Sequence, residues 1–172
     1  TKKLKKMNIT FQVKLEQENY LNEFDLMSLT NKQTSILQSK QSFYGRLIIS
    51  HEEEPTITIE DTLEAWIQNL CFASIPIMLS EQTFKILYFS RPGYILLKSK
   101  ELIINISGDL IPTMEFPIKL FIPPLFHCGN RFLKWSRKIK KNDTSYQANL
   151  DYIEKYRQPA IDALRSSELL SF

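Results

Sequence analysis

The sequence predicts an α+β fold, a single domain in which an antiparallel sheet of about five strands packs against two or three helices. Three observations carry that expectation. Several runs alternate apolar and polar residues with period two, two long stretches switch to period 3.6, and the links between successive strand runs are too short to hold crossover helices. With 172 residues, 43% of them hydrophobic and 24% charged, the chain is large enough to bury a core without disulfides or a structural metal. Residues 1–7 read as a basic tail set apart from the fold, and residues 8–172 as the domain, ending in helices.

Asn8 to Leu15 alternates strictly, with Ile9, Phe11, Val13 and Leu15 on one side, the pattern of a half-buried strand. Glu16 to Ser42 is polar with scattered apolar residues and predicts a loop or short helices. Phe43 to Ser50 and Thr56 to Ile59 flank the turn His51-Glu52-Glu53-Glu54-Pro55 and predict a hairpin. From Asp61 the apolar residues Leu63, Trp66, Ile67, Leu70, Cys71 and Ile77 recur at helical steps, with Thr58 and Asp61 as a capping arrangement and Pro76 as a kink or stop. Phe84 to Ser90 predicts a strand, Arg91-Pro92-Gly93-Tyr94 a type II turn, and Tyr94 to Leu97 and Leu102 to Ile106 two more strands closed by a turn with positive φ at Gly108. An extended segment marked by Pro112 and Pro117 leads into a long helix. Its stripe of Phe121, Leu125, Cys128, Phe132, Trp135 and Ile139 steps by 4, 3, 4, 3, 4, which predicts a buried face. Asn142 to Ser145 then caps a last helix, kinked near Pro159.

The net charge of +3 is unevenly spread: residues 1–6 carry +4, 7–130 carry −5, 131–141 carry +6 and 142–172 carry −2. Most of the domain is therefore mildly acidic, and the basic pI is no argument for general nucleic-acid binding. The four glycines lie at least 15 residues apart, a spacing from which no phosphate-cradling loop is built. His51 and Cys128, or His127 and Cys71, have no spacing that suggests a thiol and imidazole pair. His127 and Cys128 are neighbours that point about 100° apart on a helix, so they do not chelate together. No catalytic residue, metal site or cofactor is expected from these residue types. Cys71 and Cys128 read as reduced, buried thiols, and with no membrane-length apolar run and no secretory signal the expected location is cytoplasmic.

Two charged constellations remain. Glu52, Glu53, Glu54, Asp61 and Glu64 cluster on the hairpin turn and the start of the following helix, and predict an acidic docking surface for a basic partner. Arg131, Lys134, Lys138 and Lys141 recur at steps of 3, 4, 3 beside the buried stripe and form a basic ridge, an alternative surface that would contact phosphates.

The order of strand, hairpin, Trp66-bearing helix, Arg91 to Leu97 hairpin, Ile106 to Asp109 turn and Cys128 to Phe132 helix, over about residues 43–140, resembles the small α+β immunity proteins of bacterial toxin systems such as contact-dependent growth inhibition. The resemblance implies a noncatalytic cytosolic protein that binds one cognate toxin domain and occludes its active site. It carries over no individual residue as a toxin contact. The expectation is thus an immunity protein with a protein toxin as partner and neither membrane nor nucleic acid as its target. The alternative is a nucleic-acid-binding module using the helix at 131–141.

Overall fold

The computed structural model describes residues 6–52 and 54–169, without the side chains of Glu54 and Pro55. Its chain order is β1 (Met7–Glu16), β2 (Asn19–Asn22), a 3-10 turn (Asp25–Met27), α1 (Asn31–Ser39), β3 (Tyr44–His51) and β4 (Glu54–Thr62). A helical run follows as α2 (Leu63–Trp66), a π-helical segment (Ile67–Ala73) and α3 (Ser74–Leu79). The chain then forms β5 (Thr83–Leu87), β6 (Tyr94–Lys100), β7 (Ile103–Gly108), β8 (Met114–Pro117), α4 (Ile118–Ile139) and α5 (Thr144–Ser166).

The α+β class is as expected, but the strands form two four-stranded antiparallel sheets, β2-β1-β3-β4 and β5-β6-β7-β8, rather than one of about five. The division has a local cause. β4 ends at Thr62 and helix begins at Leu63 with no linker, so the chain leaves the sheet edge before β5 can pair with it. Two short strands at sheet edges make up the larger strand count: β2, inside the segment that lacked periodicity, and β8, in the segment read only as extended. β1 also begins at Met7, one residue inside the predicted tail; Thr1 to Lys5 lie outside the described residues.

Alternation in β1 works as the sequence implies. Met7, Ile9, Phe11, Val13 and Leu15 are buried and the intervening residues are not. α4 covers this inner face: Phe132 meets Phe11 edge-on at 5.4 Å between centroids and Phe43 at 6.5 Å. The first half of the same helix packs on the second sheet, where Phe121 stacks on Phe116 at 5.7 Å. A single helix, about 33 Å long by its 22 residues, therefore braces both sheets. The π-helical segment lies between α4 and α5.

Prolines interrupt the helices less than the sequence suggests. Pro76 sits within α3, and the π-helical turn just before it supplies a wider ring of backbone, which relieves the clash a proline makes with the carbonyl of the preceding turn. α5 likewise continues through Pro159. The predicted cap at Thr58 is replaced, since Thr58 lies within β4 and the helix starts at Leu63. Asp143 does cap α5, accepting from the Tyr146 N–H at 3.0 Å. Gly93 and Gly108 have the positive φ values, +117° and +146°, that their turns require.

Candidate functional site

Two of the five residues of the acidic cluster, Asp61 and Glu64, do not lie on the surface. Asp61, on β4, is only 1% exposed. Its carboxylate accepts hydrogen bonds from Trp66 Nε1 at 2.9 Å, the backbone N–H groups of Thr62, Phe89 and Ser90, and the Ser90 hydroxyl at 2.6 Å. Burial pushes this carboxyl up, but the bonds from Ser90, Trp66, Phe89 and Thr62 outweigh it and hold the group below its ordinary 3.8. Asp61 is thus a joint between the two sheets, and the expectation that it faces a partner is corrected.

Glu64 is corrected in the same way. It is buried under α5, where Oε1 accepts from the Phe43 N–H and the Tyr146 hydroxyl, both at 2.8 Å. Burial raises its pKa above 4.5 despite those bonds and the charge of Lys140. Of the other three, Glu52 is exposed, Glu53 lies outside the described residues, and Glu54 is placed by its backbone alone. Helical spacing had put Asp61 and Glu64 beside the turn without revealing that both point inward.

His51, placed by the sequence in the hairpin turn, instead closes β3 with its ring 6.0 Å from that of Phe116, both ring nitrogens buried without a hydrogen-bond partner among the described residues. Cys71 and Cys128 are free and buried, and they lie against each other rather than beside a histidine. Burial pushes the Cys71 thiol well above the usual range, the opposite of what a nucleophile needs. Among the described residues no cluster of three or more His, Cys, Asp or Glu side chains is placed to hold a metal, and no helix is long and apolar enough to cross a membrane.

The basic ridge does assemble, and on one side of a groove. Six cations lie in residues 131–141, and the fold sorts them. Lys140 is buried beneath α1, donating to the Gln38 carbonyl at 2.8 Å and to that of Lys40, with the Phe43 and Tyr146 rings beside it at 5.6 and 5.4 Å. Arg137 turns to α5, pairing with Asp151 at 2.8 Å and Glu154 at 3.2 Å. Arg131 pairs with Glu23 at 2.6 Å and donates to the Ile9 carbonyl at 2.7 Å. Lys134, Lys138 and Lys141 are exposed and have no ion-pair or hydrogen-bond partner among the described residues.

These three lysines and Arg131 border a groove of about 610 Å³ between the second half of α4, the 3-10 turn and α1. Its floor is apolar: Trp135, Ile139, Leu26 and Leu29 over the Phe11 ring, with Thr34 and Gln38 of α1 on the far wall. Trp135, expected to be buried, is only half-buried because one side of it faces this groove, whereas Trp66, Leu70 and Phe132 are enclosed as expected. Met27 on the lip is 84% exposed and the neighbouring Phe24 78%.

The opposite wall comes from the polar stretch that showed no periodicity. One local signature was present there: Thr30 and Gln33 form a reciprocal capping box at 3.0 and 3.1 Å that starts α1. A groove with aliphatic floor and cationic rim can seat an amphipathic, acidic ligand, burying its apolar groups while its carboxylates meet unpaired ammonium groups. Compared with family models, characterised proteins and solved structures, the chain finds no match in any of the three.

Proposed function

We propose that this chain is an immunity protein, a noncatalytic inhibitor that binds a cognate bacterial toxin domain in the cytoplasm and blocks its active site. The observation that carries the reading is the groove beside α4. It combines a recessed apolar floor with exposed Met27 at its lip and, on its rim, three lysines without an ion-pair or hydrogen-bond partner among the described residues, which together have the apolar centre and polar margin of a protein-docking surface. The buried ionisable groups support the same reading, since Asp61, Glu64 and Lys140 are each committed to holding elements together.

The test is to identify any toxin domain encoded beside this gene and to co-express the two. A one-to-one complex on size-exclusion chromatography with light scattering, together with restored growth, is the expected result. Absence of both the complex and the protection would overturn the reading.

A further inference from the structure

The groove also says what its occupant is made of. Resting on the docking role proposed above, we propose that the groove receives an acidic amphipathic α-helix of the protein partner, with apolar side chains at helical spacing on Trp135 and Ile139 and carboxylates facing Lys134, Lys138 and Lys141.

Charge selects the sign. The three lysines are exposed and have no partner among the described residues, while Arg131 is neutralised by Glu23 on the same rim. An occupant with carboxylates on one face would complete these pairs, and a basic one would be repelled. The floor selects a protein over a nucleic acid. Leu26, Leu29 and Ile139 are aliphatic and Phe11 is only 2% exposed, so among the lining residues Trp135 offers the accessible stacking face, and the Glu23 carboxylate opposes a phosphate backbone passing Arg131.

Backbone hydrogen bonding selects a helix over an extended strand. The groove is lined by helices α1 and α4, a 3-10 turn, and Phe11 from β1, where pairing with β2 begins only at Gln12 and side chains take the strand edge instead: Glu23 accepts from the Phe11 N–H at 3.4 Å and Arg131 donates to the Ile9 carbonyl at 2.7 Å. With that stretch of edge occupied by the Glu23 and Arg131 side chains, an extended peptide would have to displace them or bury its own N–H and C=O groups without partners. A helix brings those bonds satisfied. The rim also has helical spacing: Arg131, Lys134 and Lys138 follow α4 over seven residues, about 10 Å or two turns, with Lys141 just past its end, which matches anchors at i, i+3 or i+4, and i+7 on the partner.

The experiment is selection of a displayed library of random 16-residue peptides against the full chain, followed by titration of synthetic winners. Binding is read from tryptophan emission, because half-buried Trp135 faces the groove while Trp66 is enclosed. Winners should be acidic with Leu or aromatic residues at helical spacing, should gain helical circular dichroism on binding, and should bind roughly tenfold or more weakly to Lys134→Glu/Lys138→Glu. Both substituted positions are exposed, and an unchanged melting temperature would confirm that the variant folds.

Selection of no binder, of basic or extended binders, or of binders indifferent to the double substitution would overturn the proposal. So would binding of a 12-nucleotide single-stranded RNA, or of anionic phospholipid vesicles, that depends on the same two lysines when no peptide does. Measuring the toxin complex with the same variant separates the two readings. A complex that survives charge reversal leaves the immunity function standing and removes only the groove's role in it.

Discussion

Asp61 concentrates five hydrogen bonds on one carboxylate, from Thr62 at the end of β4, from Phe89 and Ser90 in the loop after β5, and from Trp66. Asp61→Ala strands several buried donors at once, and the expected loss of stability is about 3 to 5 kcal/mol. A urea titration showing less than about 1 kcal/mol would mean that the donors find other partners. Its folded-state pKa lies below 3.8, so its contribution is complete above that value and disappears as pH falls through the folded value. Glu64 has the opposite sign. Raised above 4.5 by burial, it favours the folded state fully below pH 4.5 and loses that contribution as pH rises through the folded value. Glu64→Gln cannot ionise, so the variant should gain stability relative to the wild type between pH 4.5 and pH 8. Urea midpoints whose difference is the same at both ends of that range would show that Glu64 does not titrate in the folded protein.

At the level of elements, α4 and the π-helical segment approach too closely for a side chain at Gly129. A Cβ there would lie 2.8 Å from Phe72 Cζ and 2.9 Å from Cys71 Cβ. Gly129→Ala should destabilise by about 1 to 3 kcal/mol through overpacking, although alanine is the better helix former. A variant as stable as the wild type would show that the two helices can separate slightly at no cost. The position of α4 was legible from its 4, 3, 4, 3, 4 stripe, because burial of one helical face imposes that period directly. Its neighbours were harder to read. Leu26 in the 3-10 turn, Leu29 in the link after it and Leu37 in α1 each touch the core from a different short segment, and contacts of that kind leave no repeat in the sequence. The inward turn of Asp61 was hidden for a related reason. Its partners Phe89 and Ser90 lie 28 and 29 residues away, beyond any local pattern. The ridge lysines were found by spacing, but the apolar wall that makes them one side of a groove was not.

Considered as a whole, the molecule has two sheets that could have been two folding units. Asp61 binds the loop after β5 to the end of β4, and α4 lies on both inner faces. Heat unfolding should therefore appear as one transition, with calorimetric and van't Hoff enthalpies equal. Two resolved peaks would show that the sheets melt separately.

The span of α4 also matters during synthesis. The strands of the first sheet are complete once Thr62 has been made, yet the helix residues that cover Phe11 and Phe43 end at Ile139. At translation speeds of 5–20 residues per second, the apolar face of Ile9, Phe11, Leu47, Ile49 and Ile59 waits roughly 4 to 15 s for its cover. A nascent chain in this interval is a ready client for ribosome-associated chaperones, and the dwell, rather than the stability of the finished fold, sets how much of it escapes aggregation.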